Sequence, residues 1–192
     1  QYKEAGAKMY FGSDEDLAGQ TVGERLTAEN GGGKTLCIIQ AQGSVALETR
    51  CAGVKKTFPN TENLQVNGAD LPSVQQTIQS KLAQDPGITN IVTLGAPIAL
   101  AAMQAQEASS NTAKLATFDL SEAVLNAIND GQMLFAIDQQ QYLQGYLGVL
   151  IVTQYAQYGL LPGGGAPILT GPGFVTQENA AQVIDLSSQG IR

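Results

Sequence analysis

The sequence predicts an α/β fold, a doubly wound parallel sheet, on two observations. Short apolar runs typical of buried strands alternate with longer segments whose apolar residues recur at helical spacing. The turns between these segments are short and rich in glycine, proline, serine and asparagine, so none has the length of a flexible linker. In such folds ligands bind at the carboxyl ends of the strands.

Each apolar run is assigned a strand, and each amphipathic segment after it a helix. The predicted strands are residues 8–11, 34–40, 63–66, 90–94, 114–118, 133–137 and 167–170. The predicted helices are residues 16–29, 45–58, 72–84, 97–107, 121–129, 142–158 and 177–184. Pro72 and Pro97 fit the first turn of a helix, where the missing amide hydrogen of proline costs nothing.

Residues 117–146 are the most informative stretch, because polar side chains follow two apolar runs about one βαβ unit apart. Asp119 comes directly after the first run, and Asp138 and Gln139 come after the second. The segment between them carries Val124, Leu125 and Ile128 at helical spacing, and a turn closes it. These groups are therefore expected at one edge of the sheet, where they can bind the hydroxyls of a ligand.

The composition excludes several classes of function. A formal net charge of -7 repels phosphate backbones, so nucleic acid is not expected as a partner. The 192 residues include no histidine, the commonest general base and zinc ligand, so we expect no enzyme, no metal and no cofactor. No apolar run is long enough to span a bilayer, and the first four residues do not form a secretory signal.

Cys37 and Cys51 are too few for a disulfide framework and too far apart for a CxxC motif. Cys51 shares a helical face with Leu47, Val54 and Phe58, and Cys37 lies in a buried strand. We favour buried free thiols, and a disulfide between the two is the alternative in an oxidising compartment.

Two other motifs have simple structural interpretations. The run from Gly31 to Thr35 resembles a phosphate loop, but a helix precedes it and a strand follows it, so no helix N-terminus faces a phosphate. Asp14 and Asp16 lack the spacing of a calcium loop. Asp16 is interpreted as a helix N-cap, and Asp14 stays a candidate for the site.

Asp119 has three possible roles: a nucleophile or base, a carbohydrate ligand beside the apolar ring of Phe118, or the N-cap of the following helix. No partner acid, base or metal cluster supports the first role. Gln139 and its two glutamine neighbours would ordinarily begin a solvated helix. Arg50 is interpreted as a structural ion-pair residue, and Glu48 on the same helical turn as a candidate for the site.

These residues resemble the ribose/galactose-type periplasmic sugar-binding proteins of ABC transporters, and are also similar to the effector domains of sugar-responsive bacterial repressors. The resemblance runs over nearly the whole chain. Its marks are Gly12-Ser13-Asp14 with Ala18-Gly19, ETRCAG at 48–53, Gly68-Ala69-Asp70, LGAPIALAAMQA at 94–105, TFD at 117–119, DQQQYLQGY at 138–146 and LTGPGFVT at 169–176.

The resemblance implies two doubly wound lobes joined by three hinge crossings, with a sugar bound between the lobes. The chain then lacks about one hundred residues of the first lobe. Residues 1–12 would end that lobe, 13–138 form the C-terminal lobe, 139–170 form a strap that returns to the first lobe, and 171–192 hold the last crossing and the C-terminal segment.

Asp119 and Gln139 match the family's ligand positions most closely. The other candidate ligand-binding residues are Phe118, Glu48, Ser13, Asp14, Asp70 and Gly95. Three positions depart from ribose binders, which have arginine at Glu48, asparagine at Gly95 and a stacking phenylalanine at Ala69. A hexose, inositol or another polyol therefore fits better than ribose.

The leading hypothesis is a non-enzymatic solute-binding protein that captures a sugar or polyol and delivers it to an ABC transporter permease. Its expected location is the periplasm, or the outer surface of a Gram-positive cell through a lipid anchor. The alternative is the effector domain of a sugar-responsive transcription regulator, which would need a basic helix-turn-helix before Gln1.

Overall fold

The computed structural model describes residues 2–192, which form an α/β fold. The strands are β1 (Phe11–Gly12), β2 (Lys34–Ile39), β3 (Thr61–Gln65), β4 (Ile88–Thr93), β5 (Lys114–Phe118), β6 (Phe135–Asp138), β7 (Ile168–Leu169) and β8 (Gly173–Thr176). The helices are α1 (Glu15–Asn30), α2 (Val45–Thr57), α3 (Leu71–Gln84), α4 (Ala96–Ser109), α5 (Glu122–Asn129), α6 (Gln141–Tyr158) and α7 (Ala180–Ser188). A short 3-10 turn covers Pro162–Gly165.

Six strands form the main sheet, in the order β3-β2-β4-β5-β6-β8. The first five are parallel, so their carboxyl ends meet at one edge, as the predicted doubly wound fold requires. The sheet is mixed rather than wholly parallel, because β8 pairs with β6 in the antiparallel direction. The predicted fold class is confirmed.

Alternate residues of the central strands pack against helices on opposite faces of this sheet. Leu36 and Ile38 join the core under α3, α4, α5 and α7, whereas Cys37 and Ile39 join the core under α1 and α2. A parallel strand covered on both faces must be apolar on both, which is why β2 reads as a continuous apolar run.

Two glycines let α1 and α2 approach to backbone contact. A Cβ atom at Gly19 would lie 2.1 Å from the backbone oxygen of Arg50, and one at Gly53 would lie 2.4 Å from the backbone oxygen of Asp16. Any larger residue would push the helices apart. This contact sets the position of Arg50 relative to the first turn of α1.

Cys37 and Cys51 form a disulfide between β2 and α2. The favoured prediction of free thiols is therefore wrong, and its alternative holds. The burial of both residues was predicted correctly, since each is 0% exposed. Spacing along the sequence did not show that the strand and the helix bring the two Cα atoms to 5.8 Å, a distance suited to a disulfide.

Neither of the two aspartates considered as helix caps, Asp16 and Asp119, has that role. Asp14, rather than Asp16, caps α1 by accepting a hydrogen bond from the backbone N–H of Leu17, because α1 begins one residue earlier than predicted. Ser121, rather than Asp119, caps α5 by accepting from the backbone N–H of Val124. The side chain of Asp119 is therefore not used as a cap.

The segments β1, α6 and β7 stand apart from the main sheet. β1 and β7 form a separate parallel pair, and no residue of α6 is buried. The large exposed apolar residues of α6 are Tyr142, Tyr146, Val149, Leu150, Val152, Tyr155 and Tyr158. Within residues 2–192, no helix combines the length and the apolar character that crossing a membrane requires.

Candidate functional site

Asp119 and Gln139 lie together at the carboxyl edge of the sheet, as predicted. Asp119 follows β5 and Gln139 follows β6, and the two strands are paired up to Phe118 and Ile137. The Nε2 of Gln139 donates a hydrogen bond to Oδ1 of Asp119. The Nε2 of Gln141, in the first turn of α6, donates a second one to the same oxygen at 3.0 Å.

The second carboxylate oxygen of Asp119, Oδ2, accepts no hydrogen bond from any of residues 2–192. The residue is half-buried and has a φ of 69°, a left-handed conformation that aspartate tolerates better than most residues. Burial raises the pKa of Asp119, and the hydrogen bond from Gln139 and the charge of Arg50 partly oppose that rise. A half-buried acceptor without a donor suits a ligand hydroxyl.

Arg50 connects the two ends of this cluster. Its Nε and Nη2 donate to the two carboxylate oxygens of Glu15 at 2.5 and 3.2 Å, and Nη2 also donates to Oε1 of Gln139 at 2.7 Å. The guanidinium carbon lies 4.7 Å from the ring centroid of Phe118. Arg50 is only 6% exposed. It is thus a structural ion-pair residue, as predicted, but one bonded directly to a candidate site residue.

Three chain segments meet behind Gln139. The hydroxyl of Ser13 lies 3.4 Å from Oε1 of Gln139, and the hydroxyl of Thr170 donates to the backbone oxygen of Gln139 at 2.8 Å. The backbone N–H of Thr170 donates to the oxygen of Gly12 at 3.0 Å. The cis peptide bond between Gly171 and Pro172 follows. These contacts bring together the three boundaries between the segments that the resemblance assigns to the two lobes, the strap and the C-terminal segment.

Gly95 borders the same edge at the start of α4. A Cβ atom there would lie 3.0 Å from Nε2 of Gln40 and 4.0 Å from Oδ2 of Asp119. The Gln40 side chain therefore occupies the space that a side chain at position 95 would fill. Its Nε2 donates to the backbone oxygen of Leu94 at 3.1 Å.

Glu48, Asp70 and Asp14 lie apart from this cluster, whereas Phe118 lies within it beneath Arg50. Glu48 is exposed on α2, and the exposed Asp70 caps α3 by accepting from the backbone N–H of Ser73. Asp14 caps α1 and borders an open cavity of about 460 Å³ beside Tyr10. The side chain of Phe118 is 0% exposed beneath Arg50, so contrary to our expectation its ring offers no open apolar face.

Sequence reasoning missed Gln40 and the link from Arg50 to Gln139. Gln40 follows the apolar run of β2 just as Asp119 follows that of β5, so its position after a strand was an available signal. The link from Arg50 had no such signal, because it joins α2 to the end of β6, 89 positions apart in the sequence.

A known protein family matches most of the chain. The model of the periplasmic binding protein domain matches residues 2–160. The chain belongs to this family. This membership and the fold confirm the resemblance found in the sequence.

Relatives of this periplasmic binding protein domain include sugar-binding proteins. The xylose/arabinose-binding protein XylF of Sulfolobus acidocaldarius is 26% identical over 156 residues, which are 76% of this chain and 39% of the relative. A carbohydrate transporter from Acidothermus cellulolyticus, solved in complex with myo-inositol, is 49% identical with a TM-score of 0.95. That match covers 100% of this chain and 67% of the solved one.

A more distant solved structure shows likeness of fold alone. The periplasmic solute-binding protein of Actinobacillus succinogenes with bound D-allose is 19% identical, with a TM-score of 0.80, over 94% of this chain and 65% of its own. The periplasmic binding protein domain described here thus spans 39% of its curated relative and about two thirds of the solved chains.

Proposed function

We propose that these residues form the second lobe of a solute-binding protein that captures a neutral cyclic polyol, such as myo-inositol, for an ABC importer. The observation that carries this proposal is the half-buried carboxylate of Asp119, which has one oxygen held by two amides and the other without a donor among residues 2–192. Such an oxygen accepts a hydrogen bond donated by a hydroxyl of a neutral ligand, and it repels a phosphate or carboxylate.

The choice of a polyol rests on two supports. The Acidothermus carbohydrate transporter, at 49% identity, was solved with myo-inositol. In addition, the Arg50 guanidinium, the only buried cation of the cluster within residues 2–192, is already occupied by Glu15 and Gln139 and leaves no positive group for an anionic ligand.

A first lobe would complete the site. One third of the Acidothermus chain has no counterpart here. A segment of that length is enough for most of this first lobe. The exposed apolar residues of α6, together with the small β1–β7 sheet, offer that lobe a packing surface. Segments 13–14, 138–139 and 171–174 would then be the hinge, with ligand enclosed as the lobes close.

The proposed location is outside the cytoplasm, where a membrane permease receives the bound ligand. The disulfide between Cys37 and Cys51 supports an oxidising compartment. The protein would act by binding and release, without chemical change to the ligand.

The test is calorimetry on the full-length gene product with myo-inositol, D-glucose, D-ribose, D-xylose and myo-inositol monophosphate. We expect one neutral compound to bind at least about 100-fold more tightly than the phosphate and to be recovered unchanged. Preference for the phosphate, turnover of any compound, or no binding of a neutral sugar or polyol would contradict the proposal.

A further inference from the structure

The amide of Gln139 has two orientations, related by a half-turn, that differ in which atom faces Asp119. In one, Nε2 donates to the carboxylate. In the other, Oε1 would face it, and two acceptors would repel each other. Only the first orientation holds Oδ1 of Asp119 and leaves Oδ2 for a ligand. The contacts that select this orientation of the Gln139 amide therefore also fix the position of Asp119.

Arg50 selects the same orientation as Asp119, from the other end of the amide. A guanidinium has only donors, so the atom of Gln139 that lies 2.7 Å from Nη2 of Arg50 must be the acceptor Oε1. The hydroxyl of Ser13 also lies near Oε1, at 3.4 Å, but a hydroxyl can donate or accept and does not decide the orientation.

Arg50 is itself held from three directions. Glu15 engages Nε and Nη2, the ring of Phe118 lies 4.7 Å away, and Gly19 and Gly53 keep the two helices in contact. At 6% exposure, little of the side chain can contact a ligand. Its hydrogen-bonded link to the site therefore runs through Gln139, beside the charge effect of Arg50 on the pKa of Asp119.

We infer that Arg50 is a positioning residue of the ligand site, which fixes the amide of Gln139 so that Nε2 holds Asp119 and leaves Oδ2 for a ligand hydroxyl. This inference rests on the proposed function only for the ligand hydroxyl; the orientation of the amide is a property of the unliganded protein.

The main experiment is a double-mutant cycle on the full-length protein, with myo-inositol as the probe. We expect Arg50→Met and Gln139→Leu each to weaken binding by about 10- to 100-fold, the scale of a lost charged hydrogen bond. Because Arg50 acts through Gln139, the double variant should bind about as weakly as Gln139→Leu alone. The inference would be overturned if adding Arg50→Met to Gln139→Leu weakened binding by the same factor as Arg50→Met does alone. It would also be overturned if Arg50→Met by itself kept full affinity.

Arg25→Met is the matched control. Arg25 also pairs with a glutamate, Glu29, and its guanidinium also lies over aromatic rings, 4.9 Å from that of Phe174, but it makes no contact with Gln139. This variant should bind myo-inositol within about twofold of the wild type even if its melting temperature falls. Weakened binding in Arg25→Met equal to that in Arg50→Met would assign the effect to general destabilisation and overturn the inference.

A second readout needs no ligand. The side-chain NH₂ signals of Gln139 in a ¹⁵N-correlated NMR spectrum, assigned by their loss in Gln139→Leu, should lie away from those of free glutamines. In Arg50→Met, or in the milder Arg50→Lys should the first not fold, they should move toward the free positions. Unmoved signals refute the positioning role, whereas a wild type that binds no polyol refutes the proposed function alone.

Discussion

Asp119 and Gln139 follow neighbouring strands and are joined by a hydrogen bond from Nε2 of Gln139 to Oδ1 of Asp119. With Gln141 bonded to the same oxygen, one side of the carboxylate is fully used by the protein. The other side, Oδ2, faces the edge of the sheet near Gly95. The two oxygens therefore have separate roles, one structural and one available to a ligand.

Asp119→Asn should separate these two roles. Asparagine tolerates the φ of 69° and can keep an oxygen toward Gln139, while its NH₂ replaces Oδ2. We expect ligand affinity to fall by about 2 to 4 kcal/mol, because the ligand hydroxyl loses its acceptor. Calorimetry and a melting curve without ligand measure the two effects.

Asp119→Ala is the comparison variant. It should lose a similar affinity but also some stability, because alanine is less tolerant of a positive φ and leaves both glutamine amides without an acceptor. If Asp119→Asn keeps full affinity, the free oxygen has no part in binding.

The fold and the centre of this site were predictable because they depend on local patterns. Apolar runs predicted the five parallel strands of the main sheet, although not β8, and the positions after two of those runs predicted Asp119 and Gln139. The disulfide and the Arg50 link were less predictable, because they depend on how α2 packs against β2 and α1. The cap of α1 is Asp14 rather than Asp16 because acidic residues crowd the start of that helix, and residue type alone does not distinguish the two aspartates as caps.

Acidification should weaken ligand binding. It should also reduce the destabilisation of the unliganded protein that comes from the ionised, half-buried Asp119. Burial raises the pKa of Asp119 above its unfolded value of 3.8, with the charges of Arg50, Glu15 and Asp138 nearby. The ionised carboxylate therefore costs stability above the folded pKa, and this cost disappears as the pH falls through the folded pKa toward the unfolded one. A ligand hydroxyl needs the ionised acceptor, so affinity falls in the same window.

Calorimetry between about pH 4 and pH 8 tests this dependence, with Asp119→Asn as the control. The wild type should lose affinity at a pH above the ordinary range of an aspartate, and the variant should show a flatter profile. Identical profiles for the two proteins would show that another group controls the acid response.

Removing the disulfide should lower stability without affecting the site directly. Cys37 and Cys51 are 14 residues apart, and closing a loop of that size stabilises by about 3 kcal/mol in the chain-entropy model. We expect the unfolding midpoint in guanidinium chloride to fall on reduction. The Cys37→Ala, Cys51→Ala double variant should start lower and not respond to a reductant. A response in the double variant would show that the reductant acts elsewhere.

Arg192 should contribute to stability through a buried partner. Its Nη2 and Nε lie 2.7 and 2.8 Å from Oδ2 of Asp138, which is 0% exposed. Arg192→Ala leaves that carboxylate oxygen without its cation, so we expect a loss of about 1 to 3 kcal/mol in urea unfolding. Lys56→Ala, which breaks an exposed pair with Asp16, should cost about 1 kcal/mol or less. Equal effects would show that the burial of Asp138 is not important.

The 192-residue chain by itself should self-associate and bind its ligand far more weakly than the full-length protein. Val149, Val152 and Tyr158 of α6 are 69%, 64% and 67% exposed, an apolar surface that the proposed first lobe would cover. A hinged binding protein also gains affinity by enclosing its ligand between two lobes, and one lobe offers only part of those contacts.

Light scattering and calorimetry on both lengths of chain decide this point. Val149→Lys with Val152→Lys should shift the short chain toward the monomer, because two charges oppose apolar contact. Val45→Lys is the matched control, since Val45 is 62% exposed but lies at the start of α2. It should leave the association unchanged. A short chain that is monomeric and binds as tightly as the full-length protein would refute the proposed role of α6 and the need for a first lobe.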